Sequence, residues 1–101
     1  MPKGYWIAHV EVDDPEAYKG YIAANAAAFA KFGGRFLVRA GRGEMKAGAL
    51  RARHVVIEFK DYETALACHE SEEYRYAAKL RDAASKVDLV IIEGYDGPQP
   101  G

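Results

Sequence analysis

Two predicted strands carry side chains that could do acid–base chemistry. His9 lies in "YWIAHVEV", residues 5–12, and His54 and Glu58 lie in "HVVIEF", residues 54–59. Because imidazole titrates near neutral pH, a histidine held on a strand can exchange a proton or anchor a ligand. His9 is the best single candidate for a catalytic base. The competing interpretation is a buried histidine that only forms hydrogen bonds, which is the commoner outcome.

The spacing of these groups argues against a metal site. His54 and Glu58 are four residues apart on a strand, so their Cα atoms are separated by roughly 13 Å, too far to share one ion. His9 and Glu11 could converge, but no third ligand accompanies them. Cys68 is the single cysteine of the chain, which excludes an intrachain disulfide and a thiolate-rich metal site. We expect no metal and no resident cofactor.

Local signals place these residues on four strands and two helical segments. Asp14 and Pro15 begin a helix with an apolar stripe that ends at the glycines 33 and 34. Asp61 and Ser71 are N-caps of a second helical segment that is broken or divided in two. The predicted strands are 5–12, 35–40, 54–59 and 87–95, and residues 41–53 form a connection that could act as a mobile lid.

The element order βαββαβ predicts a ferredoxin-like α+β fold with a four-stranded antiparallel sheet. Both helices are expected on one face, with the first and third strands central and parallel to each other. Half of the 101 residues are hydrophobic, which suffices for one domain and one core. We expect that domain to span residues 1–95 and residues 96–101 to form a flexible tail.

Strand alternation divides the strand residues between two faces of the sheet. The set expected beneath the helices is wholly apolar: Trp6, Ala8, Val10, Val12, Phe36, Val38, Val55, Ile57, Phe59, Val90 and Ile92. The other set is mixed: Tyr5, Ile7, His9, Glu11, Arg35, Leu37, Arg39, His54, Val56, Glu58, Leu89, Ile91 and Glu93. The mixed face is too apolar to stay bare. A homodimer that covers it is therefore our hypothesis.

A hairpin of the second and third strands would place Arg39 near His54 and Arg35 near Glu58. Glu58 is then better explained as the ion-pair partner of Arg35 than as a base. Arg39 has only a neutral histidine opposite it, so it could bind a carboxylate or stabilise an enolate.

The charge pattern excludes several classes of partner. The formal net charge is −1, with acidic and basic residues interspersed, so we expect no binding to nucleic acid. No segment has the length of a signal peptide or a transmembrane helix, and we expect no membrane association and a cytoplasmic location.

Several motifs together resemble one bacterial family, the domain of unknown function 1330. They are "DPEAY" in the first helix, "GGRFLVR", "VVIEF" and the "S-x-E-Y" pattern at Ser71, and the similarity covers about residues 3–94. The resemblance implies a dimeric α/β barrel, in which two sheets enclose a central cavity. Relatives in that superfamily include cofactor-independent monooxygenases, haem-degrading enzymes and muconolactone isomerases, so the fold does not fix the reaction.

The residues and the resemblance together predict a homodimer that binds a small organic molecule in the barrel cavity. The cavity would be lined by Tyr5, His9, Arg39, His54 and Glu58. Cofactor-independent acid–base or oxygenase chemistry would use His9 as the base and Arg39 to stabilise an enolate. The alternative is a non-catalytic module for ligand binding or dimerisation, and haem binding through a histidine is a third possibility.

Overall fold

The computed structural model describes residues 2–101 and shows four strands and three helices in the predicted order. The strands are β1 (Gly4–Val12), β2 (Arg35–Arg39), β3 (Arg53–Phe59) and β4 (Ser85–Glu93), and the helices are α1 (Pro15–Phe32), α2 (Tyr62–Glu70) and α3 (Glu72–Ala84). They form one sheet in the order β2-β3-β1-β4. The ferredoxin-like α+β fold is confirmed. The expectation that β1 and β3 run parallel is wrong, because all pairs are antiparallel.

The predicted caps begin all three helices. The Asp14 carboxylate accepts from the Ala17 N–H at 3.1 Å, and the Asp61 carboxylate accepts from the Thr64 N–H at 2.8 Å. The Ser71 hydroxyl accepts from the Tyr74 N–H at 3.2 Å, so the divided helical segment is two helices. Side-chain oxygens here satisfy backbone donors that the first helical turn leaves free. No helix among residues 2–101 is long and apolar enough to cross a membrane.

The core lies between the helices and one face of the sheet. Trp6 of β1 is its centre: the indole packs edge-on against Phe29 and Tyr74, with ring centroids 5.2 and 4.7 Å away. The indole N–H donates to the Ala65 carbonyl at 2.8 Å, which satisfies a polar group that is otherwise buried. The predicted helix-facing residues of β1 and β3 are accordingly buried, as Val10 and Ile57 are, or partly buried against the core, as Ala8 and Val55 are.

The two faces of β4 are the reverse of the prediction. Leu89 and Ile91 pack against the core, whereas Val90 and Ile92 are 50% and 47% exposed on the opposite face, here called the open face. Pairing with β1 fixes this arrangement, because Ile91 is opposite Trp6. The apolar run of β4 is nearly continuous, so alternation in the sequence did not mark its faces.

A β-bulge in β2 overturns the predicted neighbour of Arg39. The pairing of β2 with β3 shifts between Phe36 and Val38, so Arg39 is opposite Val55 and not beside His54. An extra residue in one strand moves every later side chain to the other face. Val38, predicted beneath the helices, consequently lies on the open face opposite Val56. Arg39 lies on the helix side, with its guanidinium carbon 4.1 Å from the centroid of the Phe36 ring.

Candidate functional site

The open face brings the two predicted histidines together. His9 of β1 and His54 of β3 are directly opposite in the sheet, and their Nδ1 atoms are 2.9 Å apart. A hydrogen bond at this distance needs one Nδ1–H donor and one unprotonated Nδ1 acceptor. Both side chains are half-buried in the single chain. One ring therefore donates to the other across the two central strands.

Tyr5 and Glu58 form a second polar pair on the open face. The Tyr5 hydroxyl donates to Glu58 Oε2 at 3.2 Å, and partial burial together with this carboxylate raises the pKa of Tyr5. The predicted register of Arg35 opposite Glu58 is confirmed. The expected ion pair is wrong, since the ion pairs found among residues 2–101 do not join these two side chains.

Arg51 ties the β2–β3 connection to the open face. Its Nη1 donates to Glu11 of β1 at 3.1 Å and its Nε donates to Asp88 of β4 at 3.1 Å. The guanidinium therefore reaches across two strands and is neutralised by two carboxylates. The connection itself is exposed from residue 40 to residue 50, and its role as a lid stays a prediction.

A separate pocket lies on the other side of the sheet, beneath α1 and α3. Its volume is about 40 Å³, which is room for a few water molecules or for the polar end of a small organic molecule. The apolar part of its wall is Trp6, Ala8, Val10, Ile22, Phe29, Phe36, Val55, Ile57, Val87 and Leu89, and the polar part is Tyr18, Tyr21, Asn25, Arg39, Arg53, Tyr74 and Arg81.

Three polar groups at one end of this pocket form a hydrogen-bonded chain. The hydroxyls of Tyr21 and Tyr74 are 2.7 Å apart, and Arg81 Nη1 donates to the Tyr74 hydroxyl at 3.1 Å. Burial raises the pKa of both tyrosines, and Arg81 opposes that effect at each of them. Both phenols therefore stay protonated near neutral pH and can donate or accept hydrogen bonds. Asn25 is buried nearby on α1.

Positive charge in the pocket exceeds the negative charge there. Arg39, Arg53 and Arg81 all line it, and among residues 2–101 no aspartate or glutamate does. Arg81 is paired with Asp82 outside the pocket, Nη2 to Oδ1 at 3.0 Å. Arg53 lies over the Tyr18 ring at 5.5 Å, and its Nε is buried without a hydrogen-bond partner in the described chain.

The structure thus divides the predicted site between two faces. Tyr5, His9, His54 and Glu58 share the open face, whereas Arg39 is exposed at the rim of the pocket on the helix side. His9 and Arg39 of one chain cannot act on the same carbon, because the sheet separates them. The sequence reasoning missed Arg53, although it has the same strand parity as Val55 and Ile57. Residues two apart on a strand point to the same face, so this spacing indicates that the Arg53 side chain lies on the helix side.

Solved structures with a similar fold support the architecture. A protein of unknown function from Rhodopseudomonas palustris aligns with a TM-score of 0.75 and 17% identity, over 95% of this chain and 85% of that one. SnoaB from Streptomyces nogalater, described as a cofactor-independent oxygenase, aligns with a TM-score of 0.63 and 16% identity over 99% and 97% of the two chains. At these identities the likeness shows the fold alone.

A third similar structure also shares the fold. A dimeric ferredoxin-like protein of unknown function from Thermobifida fusca YX aligns with a TM-score of 0.62 and 16% identity, over 91% of each chain. No curated protein matches the chain. The family model for Domain of unknown function (DUF1330) matches residues 3–95, nearly the whole described fold. The chain therefore belongs to the DUF1330 family.

Proposed function

We propose that each chain binds a small organic molecule in the pocket between the sheet and the helices α1 and α3. The observation that supports this most is the convergence of polar groups in an otherwise apolar pocket. Tyr21, Tyr74 and Arg81 are already joined by hydrogen bonds of 2.7 and 3.1 Å. A few fixed polar groups in an apolar wall are typical of small-molecule sites, because the wall contributes affinity and the polar groups orient the ligand.

This location differs from the cavity between two sheets that the sequence suggested. On the open face, the polar side chains already satisfy one another, since His9 pairs with His54 and Tyr5 pairs with Glu58. In the pocket, Arg53 Nε is buried without a partner in the described chain. A buried donor without a hydrogen-bond partner costs free energy. A ligand that accepts from Arg53 Nε would recover part of that cost, which a ligand on the open face would not.

A second copy of the chain covering the open face is the other part of the proposal. Leu37, Val38, Val90 and Ile92 are between 42% and 50% exposed there in the single chain. A contiguous apolar patch on a sheet is typical of a protein–protein interface. The dimeric protein from Thermobifida fusca supports such an assembly for this fold.

Binding is the function that these observations support, and catalysis is not required by any of them. The proposed joint action of His9 and Arg39 is inconsistent with their placement on opposite faces. Fold similarity at 16% identity does not carry the oxygenase chemistry of SnoaB to this chain. We therefore favour the non-catalytic ligand-binding alternative.

The fluorescence of Trp6 provides a direct test. It is the one tryptophan of the chain and it lines the pocket, so a bound molecule should change its emission. Propionate and propionamide are suitable probes, because a pocket of about 40 Å³ admits only small molecules. Ala8→Val should weaken their binding because it narrows the pocket, whereas Ala47→Val makes the same change on the exposed connection. An unchanged emission with every probe, or equal binding by Ala8→Val and wild type, would contradict the proposal.

A further inference from the structure

We infer that the molecule bound in the pocket is a carboxylate whose acid group lies between Arg39 and Arg53. This inference rests on the proposed function and specifies the chemical class of its ligand. Both guanidinium groups line the same pocket from neighbouring strands. Arg39 enters it only because of the β-bulge in β2, which turns its side chain away from the open face.

Arg51, in the same chain, provides a comparison for Arg53. Arg51, two residues earlier, is held by Glu11 and Asp88 at 3.1 Å each, as is usual for a partly buried arginine. Arg53 forms no ion pair within 4.0 Å in the described chain and has its Nε buried and unpartnered. A guanidinium keeps its charge at every accessible pH. No acidic side chain among the described residues lines the pocket, so an anionic ligand could accept from the buried Nε of Arg53.

The pocket wall favours an organic acid over an inorganic anion. A carboxylate is planar and accepts two parallel hydrogen bonds from a guanidinium. The remainder of the molecule would contact Ala8, Phe36 and Val55, which offer apolar surface. Inorganic phosphate carries no apolar part, so it would leave this surface without contacts.

Paired acids and amides test whether the charge of the ligand, rather than its shape, determines binding. Acetate and acetamide, and the larger pair propionate and propionamide, have nearly the same outline but differ in charge. We expect wild type to bind each acid at least about tenfold more tightly than its amide, as judged by Trp6 emission. Arg53→Gln should remove that preference while binding of the amides changes little. Arg42→Gln, on the exposed connection, is the matched control and should keep the preference.

Arg39→Gln provides a second test if Arg53→Gln does not fold, because Arg39 is exposed on the edge strand β2 and tolerates substitution more easily. It should also reduce the preference for the acid. Equal binding of acids and amides by wild type would overturn the carboxylate inference but would still support ligand binding in the pocket. Tighter binding of inorganic phosphate than of either acid would overturn it as well. Binding of none of the compounds would overturn the proposed function itself.

Discussion

Arg39 and His54 lie on opposite faces of the sheet, although plain alternation along β2 and β3 would put them side by side. The cause is one extra residue in β2 between Phe36 and Val38, which places Arg39 opposite Val55. The open face thereby keeps a histidine pair, and the pocket gains a guanidinium. One local irregularity thus decides which side of the sheet is suited to bind an anion.

The hydroxyl of Tyr74 should contribute measurably to stability. It contacts the Tyr21 hydroxyl at 2.7 Å and accepts from Arg81 at 3.1 Å, and Tyr74 is 1% exposed. Tyr74→Phe leaves both partners without it and should lower the free energy of unfolding by about 1–2 kcal/mol. Tyr76→Phe, on the outer side of α3 at 64% exposure, should change it by less than about 0.5 kcal/mol. Urea unfolding of both variants checks this, and equal effects would contradict it.

Two glycine substitutions should act in opposite directions. A Cβ at Gly4 would lie 2.6 Å from the carbonyl carbon of Asp61, where backbone must move, so Gly4→Ala should cost about 1–3 kcal/mol. A Cβ at Gly20 meets nothing within 4 Å on the exposed side of α1, so Gly20→Ala should stabilise by about 0.5–1 kcal/mol. Thermal melting compares them. A Gly4→Ala protein as stable as wild type would contradict the packing of β1 against α2.

His69 should make stability fall as the pH falls below about 6.5. Burial, helped by Arg81, lowers the pKa of His69 in the folded chain. The unfolded chain therefore binds the proton more readily, and the free energy of unfolding decreases from the unfolded pKa down to the folded one. His69→Phe keeps an aromatic ring next to Trp6 and Tyr74 and should flatten this slope. Unfolding between pH 5 and pH 7.5 tests it, and an unchanged slope would be the contrary result.

Val90→Lys should prevent self-association without unfolding the chain. Val90 is 50% exposed on the open face, where a second copy would bury it. A lysine buried in an apolar interface is costly, whereas in the single chain it stays solvated. Sedimentation should show a dimer for wild type and for Ala26→Lys, on the exposed side of α1, and a monomer for Val90→Lys. A wild-type monomer at micromolar concentration would contradict the proposed dimer.

The sequence predicted most of the fold because its local signals are strong. Asp14, Asp61 and Ser71 cap helices as expected, and the alternation in β1 and β3 identifies the buried face. The family was also predicted correctly from short motifs. These features depend on neighbouring residues in the chain, which sequence patterns describe well.

The candidate site was harder to predict because it depends on tertiary registration. The β-bulge moved Arg39, and the uninterrupted apolar run of β4 concealed that Val90 and Ile92 are exposed. Arg53 was missed because it immediately precedes the apolar run of its strand. No local sequence pattern indicates that its Nε is buried beneath α1. Nor does one indicate that no acidic residue among the described residues lines the pocket beside it.

A titration with propionate followed by NMR would show directly whether the ligand binds in the pocket, because it locates the ligand on one face of the sheet. We expect the Trp6 indole N–H and Arg53 Nε–H signals to move together and saturate, since both residues line the pocket. The ring signals of His9 and His54 should stay in place. Shifts confined to His9 and His54 would put the ligand on the open face and contradict binding in the pocket.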